Sequence, residues 1–161
     1  LSGLTTTQLA GVTTTAIGNL TAAEMGKLST AQLTELGTTN FTALNSTQIQ
    51  GIATTQLSGI STTQLAALST TNMAEFTDTQ ISKLSSAQIG ALSSTIIGSL
   101  LTTQISDLVS TQLPGMTSTQ ITQLSSTDIT TMGATVLAGF TSTQVQGLNA
   151  TQASAYAVAM I

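Results

Sequence analysis

The chain repeats every eight residues, and the period does not slip from one end to the other. Residues 61–68, Ser-Thr-Thr-Gln-Leu-Ala-Ala-Leu, serve as the model octad, with its places lettered a to h. Place h is large and apolar or aromatic at all twenty positions, through Leu68, Leu84, Leu92 and Leu124 to Tyr156. Place e is large and apolar at its first eighteen positions after Leu1, with Leu65, Ile81, Ile89 and Ile121 typical, and weakens at Ala153. Place c is Thr or Ala throughout, from Thr7 to Ala159. Place d is Gln at twelve of nineteen positions, with Glu24, Asn40, Asn72 and Asp128 as close substitutes and Ala16, Ile96 and Val136 as exceptions. One unbroken register predicts one array of about twenty octads over residues 1–161, with no internal boundary.

Few folds accept a period of eight. In one straight helix, at about 100° per residue, each octad would carry the apolar pair about 80° around the axis. In a strand, the e-to-h and h-to-e spacings of three and five are both odd, so e and h would fall on opposite faces. A β-solenoid is the alternative architecture, and this alternation argues against it. The remaining reading is a short helix that restarts in every octad.

The cap residues support that reading. Place a is Ser or Thr at twelve of twenty positions, Asn at Asn45 and Asn149, and Gly at Gly37 and Gly133, all favoured N-cap types. Three residues later comes Gln. Ser61 with Gln64, Ser85 with Gln88, Thr117 with Gln120 and Thr141 with Gln144 are therefore expected capping boxes. Ile60 before the cap and Leu65 after it stand where a hydrophobic staple would close. Seven of 13 glycines lie at g and four at f, where a helix that ends after a turn or two would use positive φ.

The predicted fold class is mainly α, a solenoid or superhelix of short capped helices. A lone octad cannot hold itself: two buried side chains give roughly 3–6 kcal/mol, while ordering eight residues costs on the order of 12 kcal/mol. Stacked octads share a core, with e and h inside and b and c outside or between coils. The number of octads per superhelical turn is not legible. Leu1 is already in register and no polar terminal repeat is seen, so the expectation is an excerpt of a longer array, or ends that stack on other copies.

Composition excludes most chemistry. Two basic and six acidic residues make 5% of the chain, against about 25% in an ordinary domain. With no His and no Cys, the usual triads, dyads, zinc sites and disulfides are ruled out. Lys27 and Lys83 alone cannot track a phosphate backbone, so no nucleic-acid partner is expected. Nor is a membrane span, since no apolar run approaches about 20 residues. No signal peptide is visible. The Ser and Thr hydroxyls have only those two lysines as candidate bases, so they are read as caps, with no catalytic residue and no small-molecule substrate. The acids, Glu75 and Asp78 excepted, are scattered, so no calcium site or cofactor is expected. The sequons at Asn19, Asn40, Asn45 and Asn149 arise readily in a Thr-rich repeat.

Segments such as Leu84-Ser85-Ser86-Ala87-Gln88-Ile89 and Phe140-Thr141-Ser142-Thr143-Gln144-Val145 resemble the octapeptide L-[ST]-[ST]-[TA]-Q-[IVL]-x-x-L tracts of large secreted or surface bacterial proteins, adhesin-like or filament-forming. The resemblance covers essentially the whole chain. It implies an extracellular or cell-surface spacer, stalk or self-assembling filament subunit, and brings no catalytic residues. The alternative is a binding surface for ice, glycan or a cell-surface partner, offered by the regular Thr and Ser rows at b and c.

Overall fold

The structure is a computed structural model that describes residues 5–161. It is mainly helical, and no strand occurs among the described residues, so the β-solenoid alternative is set aside. Each unit described below is a solenoid of short helices, most of them four to six residues long, as in Thr62–Ala66, Asp78–Ser82 and Ser86–Ala91.

Local chemistry explains why each helix starts and stops. Ser61 is extended at φ −71, ψ 154; its Oγ accepts from the Gln64 amide at 3.1 Å, and its own N–H donates to Gln64 Oε1 at 2.8 Å. At the far end, residues at h turn extended again, as in Ile52 at ψ 116, Ile60 at ψ 115 and Leu92 at ψ 147. Two consecutive extended residues, at h and the following a, break the helix and aim the next one.

Glycine has a different role from the one its placement suggests. Gly26 and Gly147 keep negative φ of −64 and −83, and among the described residues only Gly37 and Gly133, both at place a, have positive φ. Most glycines at g instead permit close packing. A Cβ on Gly51 would lie 2.6 Å from Ala22 Cα, and one on Gly59 would lie 2.6 Å from Thr30 Cα. Gly139 stands in the same relation to Ser110. Gly3 lies outside the described residues.

The core is the e and h rows. Leu65, Ile81, Ile89 and Ile121 are at most 1% exposed, and Leu68, Leu84, Leu92 and Leu124 at most 6%. Place c faces solvent at Thr7, Thr63, Thr119, Thr143 and every other described octad but the last, while b is the backbone that meets the g glycines.

Contacts divide the chain into two compact units, Leu1–Lys83 and Leu84–Ile161. In the first, Ala22–Met25 packs on Ser46–Gly51 and Thr30–Thr34 on Thr54–Gly59. In the second, Ser86–Ala91 packs on Leu113–Gly115 and Ser94–Gly98 on Ser118–Ile121. In every case the partners lie in octads three apart, whereas side-chain bonds reach 28 to 31 residues back. A turn of either solenoid therefore closes between three and four octads.

Candidate functional site

The repeat concentrates its polar chemistry at place d, so the site is a ladder. In the first unit Gln48 Nε2 donates to the carbonyls of Ile17 at 2.7 Å and Leu20 at 2.9 Å. Gln80 does the same to Ile49 and Ile52, both at 2.8 Å. Gln56 reaches Met25 and Leu28, and Gln64 reaches Leu33 at 3.0 Å and Thr34 at 3.2 Å. In the second unit Gln120 donates to Ile89 and Leu92, Gln144 to Leu113 and Met116, and Gln152 to Ile121 and Leu124, all at 2.7–2.8 Å.

Each of these glutamines is buried and fully used. Its Oε1 takes the N–H of its own cap, and its two Nε2 hydrogens go to an e carbonyl and a second carbonyl of the previous turn. The four predicted boxes have this inner half in place. Gln88 N donates to Ser85 Oγ at 3.2 Å and Ser85 N to Gln88 Oε1 at 2.8 Å. For Thr117 with Gln120 the two bonds measure 3.2 and 2.7 Å, and for Thr141 with Gln144 they measure 3.2 and 2.8 Å.

The donation to the previous turn is the function that the capping reading alone misses. A signal for it exists in the composition of place d. A capping box accepts Glu as readily as Gln, yet d holds Gln twelve times and Glu once. Only Gln supplies donors. At Asn40 and Asn72 the shorter amide still reaches one carbonyl, Val12 at 2.8 Å and Thr42 at 3.1 Å.

The acidic substitutes behave differently. Glu24 Oε2 accepts from Thr21 N and Thr21 Oγ1, both at 2.9 Å. The Thr21 backbone N–H, and then its hydroxyl, hold the Glu24 carboxyl below the usual carboxylate range. Asp128 Oδ2 takes the same two bonds from Ser125 at 2.8 Å. Both carboxylates are committed to caps. Among the described residues, no three of the carboxylate, His or Cys groups gather as a metal site would require. Neither does any pocket open among them, and no helix there is long and apolar enough to cross a membrane.

The sequons are unequal in the fold. Asn40 is buried and its Nδ2 is bonded to Val12. Asn45 and Asn149 cap helices, accepting from Gln48 N at 3.0 Å and Gln152 N at 2.9 Å. Asn19 is exposed at a helix C-terminus.

At place a, Ala53, Leu101 and Val109 have no hydroxyl; the octads of Ala53 and Val109 wind as 3-10 turns, Thr54–Gly59 and Leu113–Gly115, whereas Leu101 precedes the α-helix Thr102–Ser106. The half box remains there, since Ala53 N and Val109 N still donate to Gln56 and Gln112 Oε1. At Ala157, which neither caps nor breaks, the helix Ala150–Ala159 runs straight through, and Tyr156 stacks on Phe140 with centroids 6.2 Å apart.

Compared with protein-family models, curated proteins and solved structures, the chain matches none of them.

Proposed function

We propose that the chain is a structural repeat protein, a spacer, stalk or self-assembling filament subunit that works outside the cell or on its surface. The observation that carries this reading is the glutamine ladder. Two of the octad's polar places, the a hydroxyls and the d amides, are spent on starting helices and joining turns. What is repeated is architecture. The surface left over is largely neutral hydroxyl and methyl, which loses water at lower cost than ions do, and low net charge favours association. The extracellular location and the stalk or filament role rest on the resemblance to octapeptide tracts.

Self-association is tested by light scattering with negative-stain microscopy on the purified chain. Uniform fibres or end-joined particles support it. A monodisperse monomer at every concentration contradicts it.

A second reading, binding to ice or glycan, is favoured by the exposed c row. Capping is done by the hydroxyl at a, which leaves the exposed Thr63, Thr119 and Thr143 side chains outside the boxes. Thermal hysteresis and a glycan-array screen test it; a null result in both removes it.

A further inference from the structure

Two octads combine a glycine at the cap place with a place d that is not Gln. In residues 37–44 the cap place is Gly37 and the d place is Asn40; in residues 133–140 they are Gly133 and Val136. Gly37 and Gly133 share φ +67, and no neighbour lies within 4 Å of a Cβ built on either, so neither glycine is there for close packing. No side chain caps the helix Gly37–Thr42. Its preceding residue, Leu36, keeps helical angles of φ −58, ψ −19 where other h residues are extended, so the turn is made by the glycine alone. Gly133, at ψ 169, puts the same kink inside Ser126–Leu137. The ladder is thinned at both places: Asn40 makes one bond to the earlier turn where Gln makes two, and Val136 has no donor to offer.

We propose that these two octads are yield points, where the solenoid opens reversibly before the octads on either side. Each one is missing a cap, a box and one or two bonds to the previous turn, while its e and h residues, Phe41 with Leu44 and Leu137 with Phe140, stay buried. The opening therefore begins at the backbone turn, where glycine also has the widest conformational freedom in the open state. In a spacer under tension, such octads release length first and leave the flanking capped octads closed. The opening itself is a property of the chain without load, so it can be measured independently of the stalk reading.

Native-state hydrogen exchange of the full chain, read by mass spectrometry, tests this. Amides in residues 37–44 and 133–140 should exchange at least about tenfold faster than those in 29–36, 45–52, 125–132 and 141–148, the protection that a missing cap forfeits. The flanks nearer each terminus, 29–36 and 141–148, control for fraying. The substitutions Asn40→Gln and Val136→Gln, which leave both positive-φ glycines in place, restore the amide donors at place d and should slow exchange in their own octads toward that of the flanks. Equal exchange across all six segments overturns the proposal. So does a folded, restored chain in which the fast segments stay fast. If a restored chain does not fold, the comparison within the unaltered chain still decides.

Discussion

Gln120 Nε2 stands 2.7 Å from the carbonyl oxygen of Leu92, 28 residues earlier, while Gln120 Oε1 holds the N–H of Thr117 at 2.7 Å. One side chain thus starts its own helix and fastens it to the turn before. Because Leu92 is at h, where the chain has left the helix, its carbonyl has no N–H four residues on to satisfy it, and the buried oxygen depends on the glutamine.

The close approach at place g predicts a steep response to one methyl group. Gly59→Ala drives a Cβ to within 2.6 Å of the Thr30 backbone, which cannot rotate away. It should destabilise by at least about 1–3 kcal/mol. Gly18→Ala, with nothing within 4 Å, should be neutral or stabilising by up to about 1 kcal/mol. Denaturant melts of the two variants check this, and equal effects would remove close packing as the reason for glycine at g.

A missing cap can be supplied. Ala53 already has cap angles of φ −68, ψ 148, and only the side-chain acceptor for the Gln56 amide is absent. Ala53→Ser should stabilise by about 0.5–2 kcal/mol. The converse, Ser61→Ala, should cost about 1 kcal/mol. Thermal melts of both variants read the sign directly.

Glu24 gives the fold one acid-sensitive box. Its carboxyl is lowered by the Thr21 N–H and hydroxyl, so the folded form holds its proton less tightly than the unfolded one. The contribution is present above the unfolded value and is lost as pH falls through the folded one. An NMR titration should find Glu24 below the usual carboxylate range in the native chain. In Thr21→Ala it should move upward, because the hydroxyl bond is gone; an unmoved value would exclude the hydroxyl as a contributor.

The helix starts were legible because they are local: Ser61, Gln64, Ile60 and Leu65 lie within six residues of sequence and form one cap, box and staple. The burial of Leu65 and Leu68 followed from the period alone. The excess of Gln over Glu at place d hinted at a second role, but which turn it reaches was hidden. The size of a turn depends on how Gly51 meets Ala22 and how Gln48 meets Ile17 and Leu20, contacts 28 to 31 residues apart that leave no mark in an eight-residue period. The same distance effect misassigned the g glycines. A glycine needed for a tight turn and one needed for a close neighbour look alike in sequence; among the described residues only Gly37 and Gly133 have the positive φ that was expected elsewhere.

The central claim is that place d is Gln for its donors to the previous turn, with the box secondary. Gln120→Glu keeps the box acceptor and loses both donors, setting a carboxylate against the Ile89 and Leu92 carbonyls. Gln8→Glu is the matched control, because the exposed Gln8 side chain bonds, among the described residues, only to Thr5. Equilibrium unfolding in this 161-residue chain at neutral pH should show Gln120→Glu losing at least about 2 kcal/mol and Gln8→Glu staying within about 0.5 kcal/mol of the parent. Equal stability of the two variants would contradict the ladder.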